Sequence, residues 1–151
     1  MSNRGEMETA NIIGGVVAVV AYTLIILVFI ARIAERQQVE YALGLVLIAL
    51  LFPLAYLLWI SWGSGRPVLY LVQLGLMLLY LIVELVLDYV LKLDFRSVRW
   101  MVIAYAMLFF AATGGMLGVA SQAGKGWMYS SIVLFLVMAA LAFIQHALTG
   151  M

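Results

Sequence analysis

Gln73, Tyr80, Glu84 and Asp88 follow one another at intervals of seven, four and four residues, and at ~100° per residue an α-helix carries them along one side. Two of the four are carboxylic acids set in a long apolar run. An acid in hydrocarbon costs kcal/mol unless it faces other protein or water, so the stripe is expected to turn inward. Leu78, Leu79, Leu81, Ile82, Leu85 and Val86 take most of the remaining surface. Acids sheltered in this way can hold a proton and exchange it with an entering cation.

Depth extends the stripe to other parts of the chain. With ~1.5 Å of rise per residue and Tyr80 at the middle of its helix, Glu84 lies roughly 6 Å and Asp88 about 12 Å from the midplane. The same arithmetic puts Tyr105 near the level of Glu84 and His146 near that of Asp88. Tyr22 and Thr23 fall nearer the midplane. The expected ligand or proton site therefore comprises Glu84, Asp88, Tyr80, Tyr105, His146, Tyr22 and Gln73, with Gln145 and Arg32 at its margin and Lys92 placed to pair with Asp88 one turn on. His146 is the only histidine and there is no cysteine, so bis-histidine haem, zinc held by Cys or paired His, and thiol chemistry are not available within one chain. No metal and no cofactor are expected.

The elements that must position these residues are read from charge gaps. Hydrophobic residues make up 68% of the 151 and charged residues 10%, with a mean hydropathy of +1.19, too little polar surface to coat a soluble globule. The fold class expected is all-α, a polytopic membrane bundle of five transmembrane helices, up-and-down with short loops, forming a single integral membrane domain over 1–151. Each apolar run is long enough to cross about 30 Å of hydrocarbon, and the spans fall at roughly 11–33, 39–62, 67–92, 99–121 and 127–148. Short polar links between them make sequential helices antiparallel neighbours. The first run exceeds a signal-peptide core and is read as a retained helix.

In helix count the chain resembles the tryptophan-rich sensory protein and translocator-protein group, which is also short and five-spanning. The Trp- and Pro-rich signature of that group is not matched, and no residue role is carried over.

Other features have structural readings. Pro53 should bend the second span by leaving the Ala49 carbonyl without its helical donor. Ala111, Gly114, Gly115 and Gly118 form a small-residue patch, with Gly14 and Ala18 a weaker one; such faces let helices approach closely, chiefly within the chain, with a homo-oligomer as the alternative. Trp59, Trp62, Tyr70, Trp127 and Tyr129 are placed as one aromatic belt and Tyr41, Tyr89 and Trp100 as the other. Asp94, Arg96 and Arg99 are read as a loop salt-bridge and lipid-phosphate cluster.

A formal charge of +1 without a basic stripe excludes nucleic acid as an expected partner, leaving the lipid bilayer. No HExxH, paired Ser/His or phosphate-cradling loop occurs, and two acids one turn apart do not supply a nucleophile and an oriented acid. A non-enzymatic role is expected: binding or transport of a proton, a cation or a small amphipathic ligand, with a non-catalytic accessory or scaffolding subunit as the alternative.

Arg32, Arg36, Lys92, Arg96 and Arg99 fall on one side with the C-terminus, against Arg4, Arg66 and Lys125 on the other. The positive-inside rule then places the N-terminus outside and the C-terminus inside, in a bacterial or archaeal cell membrane. A periplasm-active reporter should report from an N-terminal fusion and stay silent at the C-terminus. The reverse pattern would overturn this orientation.

Overall fold

The computed structural model describes residues 2–63, 67–90 and 99–149, with side chains for 8–63, 67–87 and 99–148. The chain folds as α1 (Ser2–Ile33), α2 (Gln37–Ala49), α3 (Leu51–Gly63), α4 (Val68–Glu84) continued by a π-helical segment (Leu85–Val90), α5 (Arg99–Ala123) and α6 (Lys125–Thr149). Among the described residues, five helical stretches are long and apolar enough to cross a membrane: Glu8–Ile33, Gln37–Gly63, Val68–Leu87, Arg99–Ala123 and Lys125–Leu148.

The second stretch is α2 and α3 in series. Pro53 has no N–H to offer the Ala49 carbonyl, and the helix is interrupted at Leu50, whose N–H bonds back to Leu47 at 3.0 Å in a tightened, three-residue step. Its backbone N–H to Leu47 and the Leu54 N–H to Leu50 at 3.0 Å keep the rod continuous on either side. Between α5 and α6 the link is shorter than the sequence suggested. A single residue, Gly124, separates them at φ +135°, a backbone conformation that side-chain-bearing residues rarely adopt.

α1 is the central helix. It packs on α2, α3, α5 and α6, while α4 bridges α3 and α5. In the spanning window, 44% of α1 is buried against 11% of α6, so α1 supplies much of the core and α6 lies on the outside. Along its length Gly15 meets Ala123 and Trp127, Tyr22 meets Thr113 and Phe135, and Phe29 meets Phe109. Rising residue numbers in α1 thus pair with falling numbers in α5 and rising ones in α6. α1 is antiparallel to α5 and parallel to α6.

Small residues bring these helices together at one end. A Cβ on Gly14 would lie 2.8 Å from Val119 Cγ1, and one on Gly15 would lie 2.8 Å from Ala123 Cβ and 3.1 Å from the Trp127 ring. Gly118 leaves a notch filled by the Gln73 carboxamide of α4, which also crosses over Gly115. The patch on α5 therefore serves contacts within the chain, although Gly114 opens onto free space.

The aromatic belts are only partly as expected. Trp59, Trp62, Trp100, Tyr41 and Tyr129 are exposed, but Tyr70 is 3% exposed in the core and Trp127 packs over Gly15. Depth along a helix does not say which side of it faces its neighbours.

Gly15→Ala should lower stability by about 1–3 kcal/mol, because a methyl–methyl clash between two backbones cannot relax by rotamer change. Gly114→Ala should be neutral or stabilising by up to about 1 kcal/mol from helix propensity. Gly118→Leu should destabilise by displacing Gln73. Thermal unfolding of purified variants in detergent checks the order.

Candidate functional site

The turn joining α1 to α2 builds one edge of the site. Glu35 adopts φ 57°, the left-handed conformation that closes a helix end. Arg36 N–H bonds the Ala31 carbonyl at 2.8 Å and Glu35 N–H bonds that of Arg32 at 3.2 Å, so the chain reverses at once. Arg32 in the last turn of α1 then meets Glu40 in the first turn of α2. Its Nε donates to Glu40 Oε1 at 2.9 Å, and the second guanidinium nitrogen lies 2.8 Å from the same oxygen. The Arg32 guanidinium also stands 5.8 Å over the Phe29 ring.

The second edge comes from α4 and α5. Tyr80 and Glu84, four residues apart, share a helix face, and the Tyr80 hydroxyl donates to Glu84 Oε1 at 3.0 Å. Tyr105 of α5 brings its hydroxyl within 3.3 Å of that of Tyr80. A tyrosine has one proton to donate, so with Tyr80 committed to Glu84 the Tyr105 hydroxyl donates to Tyr80. The result is a relay from α5 through α4 to the carboxylate.

Between these edges lies a cavity of about 320 Å³. Its wall includes Arg32 and Glu40, Tyr80 and Glu84, Tyr105, and Gln145 and His146 of α6. The rest is apolar and aromatic, with Phe29, Phe109, Phe110 and Phe143 prominent and Gly44 making room on α2. Gln145 is 5% exposed, whereas His146 is on the exposed rim. The rings form one connected group. Tyr80 meets Tyr105 at 5.9 Å and Phe109 at 5.5 Å; Phe109 meets Phe29 at 5.9 Å and Phe110 at 5.1 Å; Phe110 stacks on Phe143 at 6.3 Å.

Of the residues named from sequence, Glu84, Tyr80, Tyr105 and His146 surround this cavity, together with the marginal Arg32 and Gln145. Tyr22 and Gln73 do not line it. Tyr22 is buried among α1, α5 and α6, where its hydroxyl donates to the Thr113 carbonyl and its ring meets Phe135 edge-on at 6.1 Å. Gln73 fills the Gly118 notch nearer the other end of the bundle. Thr23 bonds its own helix, Oγ1 to the Val19 carbonyl at 2.8 Å. Asp88 falls in the π-helical segment. The side chains of Asp88 and Tyr89, and Lys92, Asp94 and Arg96 altogether, lie outside what the structure describes.

Sequence reasoning missed Glu40 and the four phenylalanines. Glu40 had a signal: an Arg near one helix end and a Glu eight residues later across a tight turn. The phenylalanines had none, since an apolar ring in an apolar span carries no mark of what it faces. Among the described residues, no group of three or more His, Cys, Asp or Glu side chains is placed to hold a metal ion. Comparison with protein-family models, with curated proteins and with solved structures finds no match.

With side chains 19% and 28% exposed, the Arg32 and Glu40 pair is partly screened, and its loss should cost about 1 kcal/mol. Arg32→Gln, Glu40→Gln and the double variant should all destabilise by similar amounts, so the double-mutant cycle returns a coupling close to either single effect. Additive losses would show that the two groups act separately.

Proposed function

We propose that this chain is a small, non-catalytic integral membrane protein that binds or transports a small amphipathic ligand, with Glu84 as the polar anchor. The observation that carries this reading is the cavity of about 320 Å³ lined by apolar and aromatic side chains with a few convergent polar groups. That is the usual composition of a small-molecule site, in which apolar walls supply affinity and the polar groups fix orientation. A metal ion is a poorer fit, because a hard cation takes six or more oxygen ligands or several carboxylates and this wall is mostly hydrocarbon.

In this reading the five apolar stretches form an up-and-down transmembrane bundle with the C-terminus inside a bacterial or archaeal cell. The cavity then lies in the inner half, lined by the C-terminal ends of α1, α4 and α6 and the N-terminal ends of α2 and α5. Its polar rim is level with the lipid headgroups and its floor lies among the acyl chains. An amphipathic molecule would match that gradient.

Benzyl alcohol, one ring and one hydroxyl, serves as a probe. It should raise the melting temperature of the purified protein saturably, and Ala106→Phe, which fills the cavity from α5, should abolish the shift while preserving the fold. A shift that is absent, or retained in Ala106→Phe, would overturn the reading. Stoichiometric co-purification of another membrane protein that protects the cavity residues from labelling would favour the accessory-subunit alternative instead.

A further inference from the structure

We infer that the mouth of the cavity carries a second binding site, in which the Arg32 and Glu40 pair holds the zwitterionic head of a bilayer phospholipid whose ammonium still bears N–H groups. The inference rests on the reading above only for the level of the rim among the headgroups. It adds a second ligand, at the edge of the cavity opposite Glu84.

The pair is half used. A guanidinium has five N–H donors and a carboxylate two acceptor oxygens. Arg32 Nε and one terminal nitrogen approach the same oxygen, Glu40 Oε1, at 2.9 and 2.8 Å, in place of the fork-to-fork arrangement that engages both carboxylate oxygens. Glu40 Oε2 and the other terminal nitrogen of Arg32 have no partner among the described residues. Neither atom is sealed inside the bundle, and the two side chains are 19% and 28% exposed. Donors and an acceptor therefore stay open within one ion pair.

Both groups are in place before any ligand arrives. The guanidinium rests 5.8 Å over the Phe29 ring, and the left-handed Glu35 with the 2.8 Å bond from Arg36 N–H to the Ala31 carbonyl fixes the turn that sets Arg32 against Glu40. A pre-set pair loses little freedom on binding.

The pair is neutral as a unit, and this decides the charge of its ligand. A phosphate alone would be drawn by Arg32 and repelled by Glu40, and an ammonium alone would meet the reverse. A head with a phosphate and an ammonium two carbons apart meets an opposite charge at each end. Its phosphate oxygens accept from the spare Arg32 N–H groups, and its ammonium donates to Glu40 Oε2. A trimethylated ammonium has no N–H to donate. Phosphoethanolamine therefore fits the pair better than phosphocholine or phosphoglycerol. Around it, Glu35 and Arg36 of the turn are exposed and of opposite sign, and His146 stands at the rim.

The test exposes the full chain in detergent to an equimolar mixture of phosphatidylethanolamine, phosphatidylcholine and phosphatidylglycerol with identical acyl chains, and reads the retained lipid by native mass spectrometry. Phosphatidylethanolamine should be enriched about threefold or more over either of the others, because charge-assisted hydrogen bonds are what it alone gains at both ends. Its N,N-dimethyl derivative, which keeps one N–H, should still be preferred to phosphatidylcholine. Glu40→Gln should move the preference to phosphatidylglycerol, a gain that a misfolded variant cannot supply, and Arg32→Gln should abolish the advantage of phosphatidylethanolamine. Arg36→Gln, outside the cavity wall, should leave it unchanged; its loss there would overturn the assignment to the pair. Soluble phosphoethanolamine should not displace the lipid, and displacement would give the site to a free phosphate ester instead. Equal retention of the three lipids, or preference for phosphatidylcholine or phosphatidylglycerol, would overturn the headgroup site and leave the benzyl alcohol site standing. Retention of no phospholipid of any class would overturn the headgroup site and, with it, the level of the rim.

Discussion

The bundle is drawn together at one end by residues that lack side chains and held open at the other by rings. In hydrocarbon no hydrophobic force pulls helices together, so close packing must supply the attraction, and packing is closest where backbones touch. Gly14 and Gly15 allow this between α1 and α5 and at the start of α6, and Gly118 allows it between α5 and α4. About three to four turns further along α1, the interior positions pass to Ile25 and to Phe29, which meets Phe109. Rings packed edge to face require centroid separations of 5 to 6 Å, and they do not fill space as completely as interlocked alanines and glycines. The cavity occupies this end.

The same division governs the polar groups. Towards the glycine end, polar side chains are tied into the chain itself: Ser121 donates to the Gly118 carbonyl at 2.6 Å and Thr113 to that of Phe109 at 2.7 Å, while the Thr113 carbonyl in turn accepts from Tyr22. These bonds satisfy the hydroxyls within their own helices or against a packed neighbour. At the cavity end the polar groups instead face open space and join different helices: Arg32 to Glu40 across the α1 to α2 turn, and Tyr105 through Tyr80 to Glu84. A group that must be desolvated and yet retain a directional partner is the kind that discriminates among ligands.

Much of this was legible in the sequence, for identifiable reasons. The five apolar stretches follow from charge gaps, which hydrocarbon thickness makes unambiguous, and the break in the second follows from Pro53. Glu84 drew notice because an acid in an apolar run is costly, and Tyr105 and His146 were placed near it by rise per residue. Tyr22 and Gln73 show where that arithmetic ends. Depth and helix face fix a residue's height and direction, but not which neighbouring helix it meets: the notch at Gly118 takes Gln73, and the Thr113 carbonyl takes Tyr22. The shift from α to π geometry after Glu84 was likewise unreadable, since nothing in Leu-Val-Leu-Asp-Tyr-Val marks a wider turn.

Gln73, though far from the cavity, bears on its geometry. It lies on α4 with Tyr80 and Glu84, seven and eleven residues before them, and its carboxamide seats in α5 where Gly118 lacks a side chain. Tyr80 and Tyr105 come from these same two helices and depend on a hydroxyl separation of 3.3 Å. An uninterrupted helix of this length transmits a shift at one end to the other with little loss, because packed elements are stiff. The contact at Gly118 therefore sets the distance at which α4 presents Glu84 and Tyr80 to Tyr105. A hydrogen bond weakens steeply over a few tenths of an ångström beyond its normal range, so the relay to Glu84 is held at its length by a glycine more than two turns away. The residue that the sequence groups with the polar stripe is in this sense a spacer, with its packing contact at Gly118 at one end of the stripe and the hydrogen-bonded Tyr80 and Glu84 at the other.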